Sequence, residues 1–261
     1  MLITDKYAYS SNLAKIEPLS KVIFTFAMLI LCLFLNSVFV SIFLLFVSAI
    51  FTIYTNNYIS FKKYLKFMAV PFGFLLMGIL PVLIVFDSNS LFFIIKKYNI
   101  GISSHSIDLS INLFFRAISA VSITYFLALS TPMIYFFESL YKFKLPESFI
   151  TLMELIYRYI FILIDEAASM YKAQQLRFGY VNFKTGIKSI SELAAMLFIR
   201  AYKRAGLSYQ ALLSRGYNGN ITTVSSDYNS GKYFYLYIIL FTLCSILIKI
   251  LTKGVVIWKP F

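Results

Sequence analysis

Five long apolar runs alternate with polar stretches along the chain, at 22–35, 38–54, 67–86, 113–137 and 233–251. Crossing the hydrocarbon core of a bilayer takes roughly 20 mostly apolar residues, somewhat fewer where flanking groups snorkel to the interface. Each run is therefore expected to be a transmembrane helix, which makes the fold class an all-α integral membrane protein. Only Asn36 and Ser37 separate the first two runs, so a tight helical hairpin is expected there. Pro71, Gly73, Gly78 and Pro81 predict a bent third helix with close backbone contacts, because proline removes an intrahelical donor and glycine opens packing space. Two further apolar pieces are shorter: 91–95 is too brief to span, and 154–164, interrupted by Arg158, reads as an interfacial amphipathic segment.

The polar middle of the chain predicts a helical domain inserted before the last span. Pro146 can open a helix from about Glu147 to Arg177. A second runs from about Ile187 to Arg215, with Ile187, Ile190, Ala194, Leu197, Ala201, Ala205 and Leu212 recurring at threes and fours along one stripe. Its other face carries Lys188, Glu192, Arg200, Lys203 and Arg204. The turn-rich stretch from Asn218 to Gly231 then loops back to the membrane. The expected organisation is four spans in 1–137, an inserted helical domain in 138–232, and the last span with its tail in 233–261.

These two helices end alike, in Leu176-Arg177-Phe178-Gly179 and in Ser214-Arg215-Gly216. Ordinary capping accounts for either end alone, since glycine tolerates the left-handed conformation and a cation in the last turn complements the helix dipole. Their pairing, in one polar block of a membrane-spanning chain, makes them candidate functional ends.

Composition agrees with the pattern. Hydrophobic residues make up 60% and charged residues 13%, against roughly half and about a quarter in soluble domains. The net charge of +13 does not call for nucleic acid, because no basic stripe with stacking aromatics stands outside the spans. It is better explained by topology: with the N-terminus cytoplasmic, 18 of the 24 lysines and arginines fall inside. The polar block is then cytoplasmic as well and the carboxyl end external. Met1 to Lys21 is polar, so the first span is expected to act as its own insertion signal. Cys32 and Cys244 lie within apolar runs and read as packing residues.

Several chemistries are excluded. The apolar runs are nearly free of ionisable groups, Arg116 and Glu138 standing near the ends of the fourth, which argues against a charge-driven transporter. No phosphate-binding loop of the G-x-x-x-x-G-K form occurs. His105, the one histidine, lies in the external loop with Asp108 and lacks the three or four ligands a metal site needs. Asp165 and Glu166 are adjacent and diverge by about 100° on a helix, so they are not a paired-carboxylate site. No catalytic, cofactor-binding or metal-ligating residue is expected in this chain.

The opening Asp5-Lys6-Tyr7-Ala8-Tyr9-Ser10-Ser11-Asn12-Leu13 with Pro18 and Lys21, the central Tyr157-Arg158-Tyr159 and Asp165-Glu166-Ala167, and the two arginine-bearing ends together carry a family signature. The chain resembles the transmembrane T component of energy-coupling-factor (ECF) ABC importers, most closely the CbiQ-like cobalt/nickel branch. In that family two coupling helices finish in short Ala-Arg-Gly-like motifs that dock on a pair of cytoplasmic ABC-type ATPases. Ser214-Arg215-Gly216 matches with one small residue exchanged for another, and Leu176-Arg177-Phe178-Gly179 keeps the arginine but delays the glycine by one position. The resemblance implies a non-catalytic coupling subunit in a prokaryotic cell membrane. Its implied partners are two ATPase subunits, which bind the ATP, a substrate-binding membrane subunit (an S component or a CbiM-like protein) and the bilayer. Cobalt or nickel is the implied cargo and a vitamin the alternative. From another class, a self-contained membrane facilitator remains, but it would need a polar path through the spans.

Overall fold

The computed structural model describes residues 3–56, 58–84, 91–95, 100–217 and 228–252. In chain order it contains α1 (Ile3–Tyr9), α2 (Pro18–Leu35), α3 (Val38–Thr55), α4 (Phe61–Leu83), β1 (Leu91–Ile95), β2 (Ile100–Ser103), α5 (Ser104–Ser130), α6 (Met133–Lys142), α7 (Glu147–Leu176), α8 (Phe183–Ser214) and α9 (Lys232–Leu251). Five of these, α2, α3, α4, α5 and α9, are long and apolar enough to cross a membrane, so the chain is a multi-pass, all-α membrane protein. Among the described residues one small sheet pairs β1 with β2 antiparallel, Ile95 opposite Ile100. The chain folds as two compact units, one formed by 140–226 and the other by 2–139 with 227–261.

The membrane unit is built around aromatic packing. Phe24 of α2 lies 5.6 Å, ring centre to ring centre, from both Phe126 of α5 and Phe234 of α9, and 5.9 Å from Phe51 of α3. Met28, Cys32, Val40, Leu44 and Ile123 complete this core. Beside it runs a line of hydroxyls. Ser41, Ser48 and Thr52 of α3 are buried, as are Ser119 and Ser122 of α5, small residues that let two helix backbones approach closely. The Ser122 hydroxyl shares hydrogen bonds with Ser48 and, at 2.6 Å, with Tyr64 of α4, so three helices meet at one oxygen.

The fourth apolar run departs from expectation. It is not one span at 113–137: α5 starts nine residues earlier, at Ser104, and stops at Ser130, and α6 is a separate helix beginning after Thr131-Pro132. Proline disfavours helical geometry in the residue before it and cannot donate to the turn behind it. Hydropathy is blind to that break, because both flanks are apolar. Arg116 consequently lies in the middle of α5, not near its end, and Glu138 belongs to α6, where it accepts a hydrogen bond from Tyr228. Likewise the backbone of His105 is in the first turn of α5, not in a loop.

The N-terminal signature closes this break. Asn56, after α3, donates through Nδ2 to the carbonyls of Tyr7 (2.8 Å) and Leu129 (3.3 Å). The fully buried Lys21 Nζ donates to the carbonyls of Leu13 (2.9 Å) and Ser130 (3.4 Å), closing the carboxyl end of α5. Asp5 accepts the backbone N–H of Met133, the first residue of α6. At the other end of α2, Asn36 adopts a left-handed φ of 45° and makes the expected tight turn into α3. Arg116 caps that turn by donating to the Leu33 carbonyl and, at 3.3 Å, to Asn36 Oδ1.

Glycines in the membrane unit divide into two kinds. Gly73 and Gly78 have open space where a Cβ would stand, so the close contacts expected around them are not made among the described residues, and α4 is a continuous helix through Pro71 and Pro81. Gly231, by contrast, sits so close to α2 that an added Cβ would meet Ser20 Oγ at 1.9 Å. Gly231→Ala is therefore expected to destabilise the detergent-solubilised chain by about 1–3 kcal/mol, the usual range for overpacking. Gly73→Ala should be neutral or slightly stabilising, and thermal unfolding of the two variants beside the parent checks the contrast.

Candidate functional site

The unit formed by 140–226 holds both arginine-bearing ends on a single pair of helices. Glu147–Leu176 is an uninterrupted helix, as expected from Pro146 onward, and 154–164 is its middle. Pro146 stands immediately before it. Asn182 and Thr185 form a reciprocal capping box that starts α8: the Thr185 hydroxyl accepts the Asn182 N–H at 3.1 Å and the Asn182 side chain accepts a backbone N–H. The cross-contacts run antiparallel. Gln174 meets Ser189, Arg200 pairs with Glu166 at 2.9 Å, and Tyr159 shares a hydrogen bond with Ser208. Two of the central signature residues, Tyr159 and Glu166, are thus the links that zip α7 to α8.

The stripe read along α8 is only partly the packing face. Ala201, Ala205 and Leu212 line an apolar cleft of about 450 Å3 with Leu155, Tyr159 and Leu163 of α7. Ile187 and Ile190 are exposed, while Arg200 and Arg204, assigned to the opposite face, turn toward α7. Straight helices that cross touch over a limited stretch, and long arginine stems reach round the flank of a helix to a neighbouring rod.

Both ends adopt the same backbone motif. At the first, Arg177 is the C-cap, the Phe178 N–H donates to the Gln175 carbonyl (3.1 Å) and the Gly179 N–H to the Gln174 carbonyl (2.9 Å). At the second, Arg215 is the C-cap, the Gly216 N–H donates to Leu213 (3.0 Å) and the Tyr217 N–H to Leu212 (3.0 Å). These are paired Schellman closures, which satisfy carbonyls that a helix end leaves open. Arg177 and Arg215 are each exposed at the matching position. The fold does not bring the two together: α8 has 32 residues, so the arginines stand at opposite ends of a rod about 48 Å long.

The shifted glycine has a specific consequence. The left-handed position that Gly216 fills with φ +77° is filled at the first end by Phe178 with φ +58°. A side chain there costs about 1–2 kcal/mol. Gly179 follows it because α8 approaches too closely for anything larger: a Cβ would stand 2.7 Å from Ser189 Oγ. Around it Ser189 Oγ donates to the Gly179 carbonyl (2.8 Å), Gln174 Nε2 donates to the Ser189 carbonyl (2.9 Å), and the Tyr180 hydroxyl donates to Gln174 Oε1 (2.7 Å). Sequence reading did not single out Gln174, Tyr180 or Ser189. The Asn182-x-x-Thr185 cap was the available sign that α8 begins early enough for Ser189 to reach the turn.

Leu176 and Phe178 are exposed apolar side chains flanking Arg177, whereas Ser214 and Gly216 leave Arg215 without an apolar neighbour in its motif. Among the described residues no cluster of three or more histidine, cysteine or acidic side chains is placed to hold a metal ion. The arrangement presents a planar cation, suited to bidentate pairing with a carboxylate, at each end of a stiff helical pair.

The sequence profile of the family described as "Cobalt transport protein", CbiQ, matches residues 10–224. An uncharacterized protein of Methanocaldococcus jannaschii is 32% identical over 253 residues, 97% of this chain and 94% of its own. A cobalt transport protein CbiQ of Salmonella typhimurium is 30% identical over 77% of this chain and 90% of its own. An energy-coupling factor transporter transmembrane protein, EcfT, of Ruminiclostridium cellulolyticum is 30% identical over 81% of each. The profile covers most of the five-span chain and both helices of the inserted unit, and on that ground the chain belongs to the CbiQ family, the membrane T components of ECF-type transporters.

Proposed function

We propose that this chain is the non-catalytic coupling subunit of an ECF-type ABC importer, which transmits ATP-driven motion from two cytoplasmic ATPase subunits to a substrate-binding membrane subunit. The observation that carries the reading is the pair of matched helix ends, each presenting an exposed arginine on an identical backbone closure. Their separation of about 48 Å along the rod suits two partner subunits better than one. In this reading Arg177 and Arg215 each insert into a recess of one ATPase, with Leu176, Phe178 and Gly179 at the first contact and Ser214 and Gly216 at the second. ATP is bound by those partners, and closure of the ATPase pair draws the two ends of the α7–α8 pair into a new arrangement.

Charge distribution supports an orientation with the N-terminus and the inserted unit in the cytoplasm, since 18 of 24 basic residues then lie inside. In that orientation the five spans among the described residues would bring the end of α9 to the outer side. The CbiQ profile and the Salmonella relative favour cobalt, or the chemically similar nickel, as cargo. The EcfT relative favours a second reading, in which the chain serves an ECF importer of another cargo such as a vitamin. Recovery of the tagged chain from native membranes discriminates them, because the membrane subunit that accompanies it carries the substrate site: a CbiM-like companion means a metal, an S component a vitamin.

Arg177→Ala and Arg215→Ala are each expected to weaken ATPase retention by about 2–5 kcal/mol, the range for truncating one partner of a buried charge pair. Uptake should stop while membrane insertion persists; co-purification and transport assays on the same cells read both, and parent-level transport by both variants would refute the docking roles. Gly179→Ala should misplace Arg177 without removing it. A loss of ATPase binding in that variant, partly recovered when Ser189→Ala removes the clashing hydroxyl, checks that the clasp positions the cation.

A further inference from the structure

The two arginine-bearing ends share a backbone and differ in what surrounds the cation. At the α8 end the left-handed residue is Gly216, the cheapest choice, and a Cβ there would have open space around it. At the α7 end the same position is held by Phe178, at φ +58° and 78% exposed, beside Leu176 at 83%. Among the described residues no ring contact or buried packing uses that side chain. Glycine or asparagine would occupy the position with less strain, and strain that the packing does not require points to a role outside the chain.

Resting on the ATPase-docking reading, we infer that Phe178 is an aromatic anchor: its ring enters an apolar recess of the ATPase subunit that receives Arg177, so the two ATPase contacts of this protein are chemically unequal. The recognising surface has an apolar wall for Leu176 and Phe178 and a carboxylate for the guanidinium between them. At the α8 end Arg215 docks between a serine and a glycine, with the half-exposed Leu213 as the nearest large apolar side chain before it and no ring at the left-handed position. Aromatic residues, phenylalanine among them, and arginine are enriched at protein interfaces, and a few such buried anchors carry most of the binding energy. A lipid surface is a poorer fit for the ring. Val181 and Phe183, 65% and 87% exposed near the same tip, already offer apolar surface without backbone strain. A left-handed residue fixes the direction of its side chain, which matters to a shaped protein pocket and not to a fluid.

The decisive variant is Phe178→Gly, because it removes the ring while favouring the backbone closure, and it gives the α7 end the Arg-Gly order of the α8 end. In the detergent-solubilised chain titrated with its ATPase pair, Phe178→Gly is expected to raise the apparent Kd about 30-fold, the loss typical of an aromatic hot spot. Its melting temperature should equal or exceed the parent's. Parent-like affinity in Phe178→Gly together with lost binding in Arg177→Ala would overturn the anchor and leave the docking reading standing. Parent-like affinity in both variants would overturn docking itself. A lowered melting temperature in Phe178→Gly would make the ring a packing residue and refute the proposal.

Discussion

In an apolar environment a backbone carbonyl or N–H without a partner costs several kcal/mol, and the membrane unit is arranged around the place where that problem is most acute. Between α5 and α6 the chain must stop being helical at Thr131-Pro132, which opens carbonyls at the end of one helix and N–H groups at the start of the next. Lys21 covers the Ser130 carbonyl, Asn56 the Leu129 carbonyl, and Asp5 the Met133 N–H. All three come from sequence-distant segments, so closing this one break fastens α1, the start of α2 and the end of α3 to α5. The strand-like pairing of Ile16 with Asn229 adds the approach to α9, where Gly231 allows the backbone to lie against Ser20.

That fastening gives the opening signature a structural meaning. Asp5 and Lys21 are buried ionisable groups, and they act on peptide groups of the chain itself. Arg116 does the same at the α2–α3 turn. At these three residues charge is used to end helices.

In the inserted unit the same chemistry serves stiffness. Its two helices are linked at three levels, by Gln174 with Ser189, Glu166 with Arg200 and Tyr159 with Ser208. The exposed Arg200–Glu166 pair contributes little to stability, but three links spaced along two rods oppose sliding of one past the other. A stiff pair with a cation at each end is suited to carrying displacement from one end to the other, and the clasp at Gly179 removes slack where the cation is held.

Legibility in the sequence followed the physics of each feature. Hydropathy found the bodies of the spans, because a run of apolar residues is a local property; α3 begins at Val38 and α9 ends at Leu251, as the runs do. Helix ends were less legible. The fourth run hid a proline break between two apolar flanks, and α8 began four residues before its stripe because Asn182 and Thr185 cap it there. Gly73, Gly78 and Gly231 are indistinguishable as letters, yet only the last is pressed against a neighbour. The two arginine ends could be recognised as kindred from spacing, but the tertiary structure decided that they stand at opposite ends of one antiparallel pair. It also decided that Phe178, not Gly179, takes the left-handed turn. The sequence by itself determined the membrane class, the number of spans and the cations at the helix ends, since these depend on composition over a few turns. Which glycine is compulsory, which carbonyl Lys21 covers and which residue bears the strain were decided only by the fold, because each depends on atoms brought close from far along the chain.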